Sequence, residues 1–429
     1  MSPVSRGRKK KPGKVTKSRR ARQLASPYAA ILASAQQLLD KTSTLLAEQW
    51  AAHTLGLLWR AAWAGEEGDP EDLVETHIEA LTEHIVAQGG PAALAALRAM
   101  AAVGEDWMRE LADEAGDVLS DAGVPEPAWS GSQEARLASA YTMADPFGEV
   151  EMVVLGFDRD EEQHAVLVLV AHLAGSHIAR IRVGGVDAGG IEGVVEAVRA
   201  AGPFTEAVAL TGAQARVRLE EPLEDLMVDG PQDDGLLDAM FEGLDGDPAC
   251  GWALLRARLD SLPDDLLSDD DTDEETDTDE DDDGQQTVTA FLASTYVEGL
   301  PDRRLARLWA RIASDWALDS IGTAHRYGPV SLSLVLTDEV SRHAVIDDAD
   351  LVLLPEIIRA WAHFTAEASG LGPQAHQRWD KHLPTLLSGF ADAYADTESV
   401  SHRRSCLQAY DLRAYGTQAA VHRSLERLS

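Results

Sequence analysis

The chain reads as mostly α-helical with a small α+β unit in the middle. Three observations predict this. Apolar residues recur at helical spacing at both ends, strand-like runs cluster between 149 and 183, and an acidic tract interrupts the chain at 264–283. The expected organisation is a basic disordered tail (1–23), a helical bundle (24–123), a small α+β unit (124–262), an acidic disordered linker (263–286) and an all-α domain (287–429). At 429 residues, with 45% hydrophobic content and ten Trp, each folded part is large enough to bury a core.

The first helix has a start signal in Ser26-Pro27, a capping hydroxyl followed by proline at the first helical position. Ile31, Leu38 and Leu45 recur along it with Leu32, Leu39 and Leu46 beside them, and Trp50, Leu57 and Leu58 carry the face to about Ala64. The alternative is two helices broken near Gly56. A second helix opens at Asp69-Pro70, places Leu73, His77, Leu81 and Ile85 on its inner side, and stops at Gly89-Gly90. Pro91 opens a third, alanine-rich helix. Trp107, Leu111, Ala115 and Leu119 mark a fourth, closed by Gly123. Short connections make these an antiparallel bundle.

From about Leu137 the pattern changes. Glu149–Phe157, Ala165–Ala171 and Ile178–Val183 are strand-like, and polar Asp158–Glu161 turns the first into the second. The continuous apolar run of the second implies cover on both faces. These three are expected as an antiparallel meander. Gly184–Gly190 leads into a helix at Ile191–Ala201. Glu206–Leu210 is a further candidate strand, and helices fit Ala213–Leu226 and Pro248–Leu259. After the acidic tract, Leu305, Leu308, Trp309, Ile312 and Trp316 line one side of a helix at Pro301–Ile321. Further helices fit Val330–His343, Leu354–Ser369, Gln374–Ala395 and Arg403–Leu425.

Charge divides the chain more sharply than hydropathy does. The net charge is −36, yet residues 1–23 hold ten Lys or Arg and no acid, whereas 264–283 hold fourteen Asp or Glu and no Lys or Arg. Residues 24–263 are strongly acidic and 284–429 nearly neutral. The tail and tract lack the apolar content that would offset the entropy of ordering. An acidic body repels nucleic acid and anionic lipid, so any polyanion contact falls to the tail or to a local patch.

No apolar run is long enough to cross a bilayer, so no membrane partner is expected. Arg19-Arg20 ahead of Leu24–Ala35 imitates an export signal, but Pro27 and the run-on into an amphipathic helix argue against one. The two cysteines, Cys250 and Cys406, lie far apart, as in a reducing compartment. The expected location is cytoplasmic. Oligomeric state is not legible.

Residues from about Tyr141 to Tyr394 resemble an uncharacterised actinobacterial protein family. The resemblance is carried by Ala144-Asp145-Pro146-Phe147-Gly148, His164-Ala165-Val166-Leu167-Val168, Gly202-Pro203-Phe204, Trp309-Ala310-Arg311-Ile312, Leu354-Pro355-Glu356-Ile357-Ile358-Arg359-Ala360-Trp361 and Ser369-Gly370-Leu371. The family's middle strand ends in Val-Asp-His before Gly-Gly. This chain reads Val170-Ala171-His172 and then Ala174-Gly175-Ser176. The resemblance implies an architecture and carries no activity.

Motifs for catalysis are sparse. Gly184-Gly185-Val186-Asp187-Ala188-Gly189-Gly190 sits where a phosphate loop would, but no Lys-Ser/Thr follows, and Asp187 and Glu192 put negative charge where phosphate would lie. His77 and His84, His376 and His382, and His164, His172 and His177 do not have metal-ligand spacing, and no Gly-x-Ser-x-Gly elbow occurs. Cys406 near His402 is not by itself a nucleophile. No catalytic residue, metal or cofactor is assigned.

Cationic residues remain. Arg6, Arg8, Lys9, Lys10, Lys11, Lys14, Lys17, Arg19, Arg20 and Arg22 form a polycation with no aromatic residue to stack on bases. Arg303, Arg307 and Arg311 recur at four on one helix, with Arg304 alongside. The expected function is a non-enzymatic interaction or regulatory protein that contacts DNA or RNA without reading sequence, with the acidic linker competing for the basic tail. Two alternatives are an enzyme with a pocket near the central sheet and the glycine segment, and a scaffold that binds a protein partner through Trp-rich helical faces.

Overall fold

The computed structural model describes residues 27–64, 69–131, 134–160, 162–172, 176–202, 204–230, 246–263, 280–344 and 346–395. After a helical stretch at 27–34 come helices α1 (Thr44–Trp63), α2 (Pro70–Gln88), α3 (Pro91–Met100) and α4 (Asp106–Asp121). Strands β1 (Arg136–Ala144), β2 (Val150–Arg159), β3 (Glu162–His172) and β4 (Ser176–Gly185) follow, then α5 (Gly190–Ala201), β5 (Val208–Leu210), α6 (Gly212–Asp229) and α7 (Pro248–Asp260). The last stretch holds α8 (Glu280–Ala293), α9 (Arg303–Ile321), α10 (Pro329–Leu334), α11 (Asp348–Ala368) and α12 (Pro373–Ala395). The chain is therefore mainly helical with a five-stranded antiparallel sheet in the middle. It divides into two compact units, one from the described residues of Met1–Ala135 with Ala249–Ser261, the other from those of Arg136–Pro248 with Leu262–Ser429.

In the first unit α3 is almost wholly buried, because small Ala side chains between Leu94 and Leu97 let neighbouring helices approach closely. α2 begins as the sequence predicts: the Asp69 carboxylate accepts from the Glu71 N–H, and Pro70 occupies the first turn. The α1 helix is unbroken at Gly56. The helical run that starts at 27 is instead interrupted at Lys41–Ser43, after a 3-10 turn at Ala35–Asp40. Helix α7, separated in sequence by the whole sheet, folds into this unit. Trp252 meets Trp59 with ring centroids 6.3 Å apart, and the buried Arg258 guanidinium donates to Glu48 at 2.5 Å.

In the second unit the strand order is β4-β3-β2-β1-β5. One sheet face, with Met143, Met152, Val154 and Leu169, packs under Ile191, Val195 and Val198 of α5. The other face carries Thr142, Glu151, Val153 and Val168, and α6 packs against β1 and β4. Helices thus flank the apolar β3, as its unbroken hydrophobic run requires. β1 was not foreseen as a strand. The α8–α12 helices share a core built on Trp309, Trp361, Trp379, Phe291 and Tyr327, which Phe147 of the β1–β2 turn joins. The Phe147 and Trp379 rings lie edge to face at 5.4 Å.

The acidic linker, expected unstructured to residue 286, gives way to helix at Glu280. Residues 1–23, most of the acidic tract (264–279) and the helix expected at Arg403–Leu425 lie outside the described residues.

Candidate functional site

All four arginines foreseen on α9 are solvent-exposed, while Leu305, Trp309 and Ile312 on the opposite side are buried. The stripe is therefore real as a surface. Its charges are partly engaged. Arg303 donates to the Leu292 carbonyl at 2.6 Å, Arg304 reaches Asp350 at 3.3 Å, and Arg311 lies 3.6 Å from Asp315 one turn on. Arg307 has no ion-pair partner among the described residues. The exposed Arg311–Asp315 pair is worth about 0–1 kcal/mol, whereas only 11% of the Asp350 side chain is exposed, so Arg304 serves as the countercharge of a buried carboxylate. The ten cations of the N-terminal tail lie outside the described residues.

The glycine segment borders an open depression of about 420 Å³ lined by Asp158, Asp160, Glu162, Gln163, Val186, Asp187 and Ala188. Its carboxylates repel a phosphate, so this is not an anion site. The histidines are dispersed. His164 is buried and stacks on Phe157 at 5.3 Å. His77 lies with its Nδ1 2.8 Å from the Tyr28 hydroxyl, and His84 packs against the same ring. His376 Nδ1 faces His363 Nδ1 at 3.0 Å, and Asp380 lies 3.3 Å from His363 Nε2. Among the described residues no group of three His, Cys, Asp or Glu is arranged to hold a metal ion.

Two polar clusters of the second unit escape a motif search. The first holds Asp145 and Glu149. Asp145 closes the β1–β2 turn by accepting the Glu149 N–H at 2.7 Å. The buried Glu149 carboxylate accepts the N–H groups of Gly328 (2.9 Å), Val330 (2.9 Å) and Ser331 (2.8 Å) and the Ser331 hydroxyl, and so caps α10 from the sheet. Burial and the adjacent Asp145 push the Glu149 carboxyl up to about 7 against the pull of those donors.

The second cluster lies where β3 ends. The Glu151 carboxylate, on β2, accepts from the Thr142 hydroxyl, from Arg218 of α6 at 2.9 Å, and faces His172 Nε2 at 3.2 Å. His172 Nδ1 lies 2.9 Å from Ser176 Oγ across the β3–β4 pair. Burial acts to raise the Glu151 carboxyl, but His172, Thr142 and Arg218 together hold it below its ordinary value. The sequence placed His172 at a strand end but offered no means of pairing it with Glu151, because the pairing depends on β2–β3 register.

Comparison with known proteins adds nothing to this assignment, since no family model, curated protein or solved structure matches the chain.

Proposed function

We propose that this chain is an interaction protein that contacts the phosphates of DNA or RNA without reading sequence. The contacts are the cationic residues of 1–23 and the arginine side of α9, and the acidic tract at 264–283 competes for both. The observation that supports this reading most directly is the exposed run Arg303, Arg307 and Arg311 with Arg307 unpaired among the described residues. From the first to the last the helix rises ~12 Å, about three to four nucleotides of one strand. For the scaffold alternative, Trp59, Trp252, Trp309, Trp361 and Trp379 are core residues, which leaves Trp63, Trp107 and Trp316 as the partly exposed indoles on helical faces.

Affinity for random-sequence DNA and RNA, measured as a function of salt, tests the proposal. Each phosphate contact contributes about 0.7–0.9 to the slope of log K against log salt. Replacing Arg303, Arg307 and Arg311 together by Ala lowers that slope by roughly 2 to 3, and deleting 1–23 lowers it further. Exchanging the acids of 264–279 for Ser and Gly at constant length tightens binding. Affinity and slope that stay constant through all three changes refute the proposal.

A further inference from the structure

The Glu151–His172–Ser176 array plays no part in phosphate contact and has a chemistry of its own. Glu151 has 7% of its side chain exposed, and its oxygens are held by Thr142, Arg218 and His172. An ionised carboxylate facing Nε2 fixes the proton on that nitrogen. The lone pair is then left on Nδ1, where Ser176 Oγ lies at 2.9 Å. A hydroxyl and an imidazole within hydrogen-bond reach, with the imidazole oriented by a third group, is the arrangement of an activated nucleophile. The plainer reading is a cross-strand pin between the ends of β3 and β4. A pin needs only the His172–Ser176 contact, whereas here a carboxylate, itself held by Arg218 and Thr142, also faces the far nitrogen of the imidazole. His172 and Ser176 are both partly open to solvent.

We propose that Ser176 is a nucleophile toward activated carboxylic esters, with His172 as its general base and Glu151 as the residue that positions His172. In the first half-reaction a bond forms between Ser176 Oγ and the ester carbonyl carbon while the hydroxyl proton passes to His172 Nδ1. The bond to the leaving alcohol then breaks, and that alcohol takes the proton from His172. In the second half, water attacks the acyl-serine, gives its proton to His172, and Ser176 recovers it as the acid departs. Nothing is oxidised or reduced, and no co-reactant other than water enters.

The test treats the intact chain with an alkyl fluorophosphonate and locates the adduct by peptide mass, with p-nitrophenyl acetate hydrolysis followed in parallel. The expected result is one adduct on Ser176 that is absent from Ser176→Ala. His172→Gln should slow adduct formation by about 10²-fold or more with the far-ultraviolet circular dichroism unchanged. In His172→Ala, added imidazole should restore part of the rate, a rescue that a merely structural histidine would not show. Absence of the adduct from Ser176 in the intact chain, or formation at an undiminished rate in His172→Gln, overturns the proposal. Neither result bears on the arginine stripe, which is judged by its salt dependence.

Discussion

Gly56 shows how one residue depends on a partner far along the chain. It lies inside α1, and a Cβ built there would meet the Ala249 carbonyl oxygen and Cys250 Cα of α7 well inside van der Waals distance. Those are backbone atoms and cannot rotate aside. At an open helical site Gly→Ala gains about 0.8–1 kcal/mol. Here Gly56→Ala should instead cost at least about 1–3 kcal/mol through overpacking, read as a lower midpoint in urea unfolding. Read along the sequence, Gly56 is a plausible breaking point. In the fold it is a contact surface, and the glycine permits approach of backbone to backbone rather than a bend. His172 has the same history. Its strand-end position was legible, but its acid and hydroxyl partners were not, because they come from a neighbouring strand and a hairpin return.

At the scale of elements, helices with a start signal and a strong apolar period were the legible part. α2 begins at Pro70 and α9 ends before Gly322, which adopts a positive φ of 74°. Faces were less certain than spans. In α4 the buried positions are Met108, Ala112, Gly116 and Leu119 rather than the series through Trp107, Leu111 and Ala115. Trp107 has its indole N–H bound to Glu105 at 2.8 Å and stays partly exposed. β1 was missed because Arg-Leu-Ala-Ser-Ala-Tyr-Thr-Met-Ala is poor in β-branched residues, and its place comes from pairing with β2 and β5. The cap of α10 was equally hidden, since the group that satisfies its N–H donors is Glu149 of the sheet. Burial of that capping carboxyl beside Asp145 makes stability depend on pH. The Glu149 carboxyl titrates at about 7 in the fold against an ordinary value of 4.5, so the folded state holds the proton more tightly than the unfolded chain. The resulting stabilisation is fully present below about 4.5 and is lost as pH rises through about 7. Its size is on the order of 3 kcal/mol. Thermal unfolding between pH 5 and 8 should show a falling melting temperature with a smaller slope in Glu149→Gln. Equal slopes in the two proteins would mean that the donors of α10 keep Glu149 ionised throughout.

For the whole molecule, the consequence that matters most is that the first unit is discontinuous. Composition suggests that α1–α4 suffice as a bundle, and α7 reads as a helix of the middle unit. The buried contacts say that α7 completes the first unit. It brings Trp252 to Trp59, offers the Ala253 carbonyl to the Gly104 N–H at 2.8 Å, and places Asp260 2.9 Å from Arg109. Most demanding is Glu48, buried at 1% exposure with the Arg258 guanidinium against it. Removing one partner of such a buried pair costs about 3–5 kcal/mol, a large share of the 5–15 kcal/mol that holds a domain folded. A fragment of residues 24–135 therefore lacks both the aromatic seal and the countercharge for Glu48. It should be helical by far-ultraviolet circular dichroism yet bind a hydrophobic dye and melt without a cooperative transition. A second fragment, in which a short Gly-Ser linker joins residue 135 to residues 246–262, should melt cooperatively. Arg258→Ala in that second fragment should undo most of the gain, whereas Arg258→Lys should retain part of it. Cooperative melting of 24–135 alone would mean that the four-helix core supports itself and that α7 is a passenger on it.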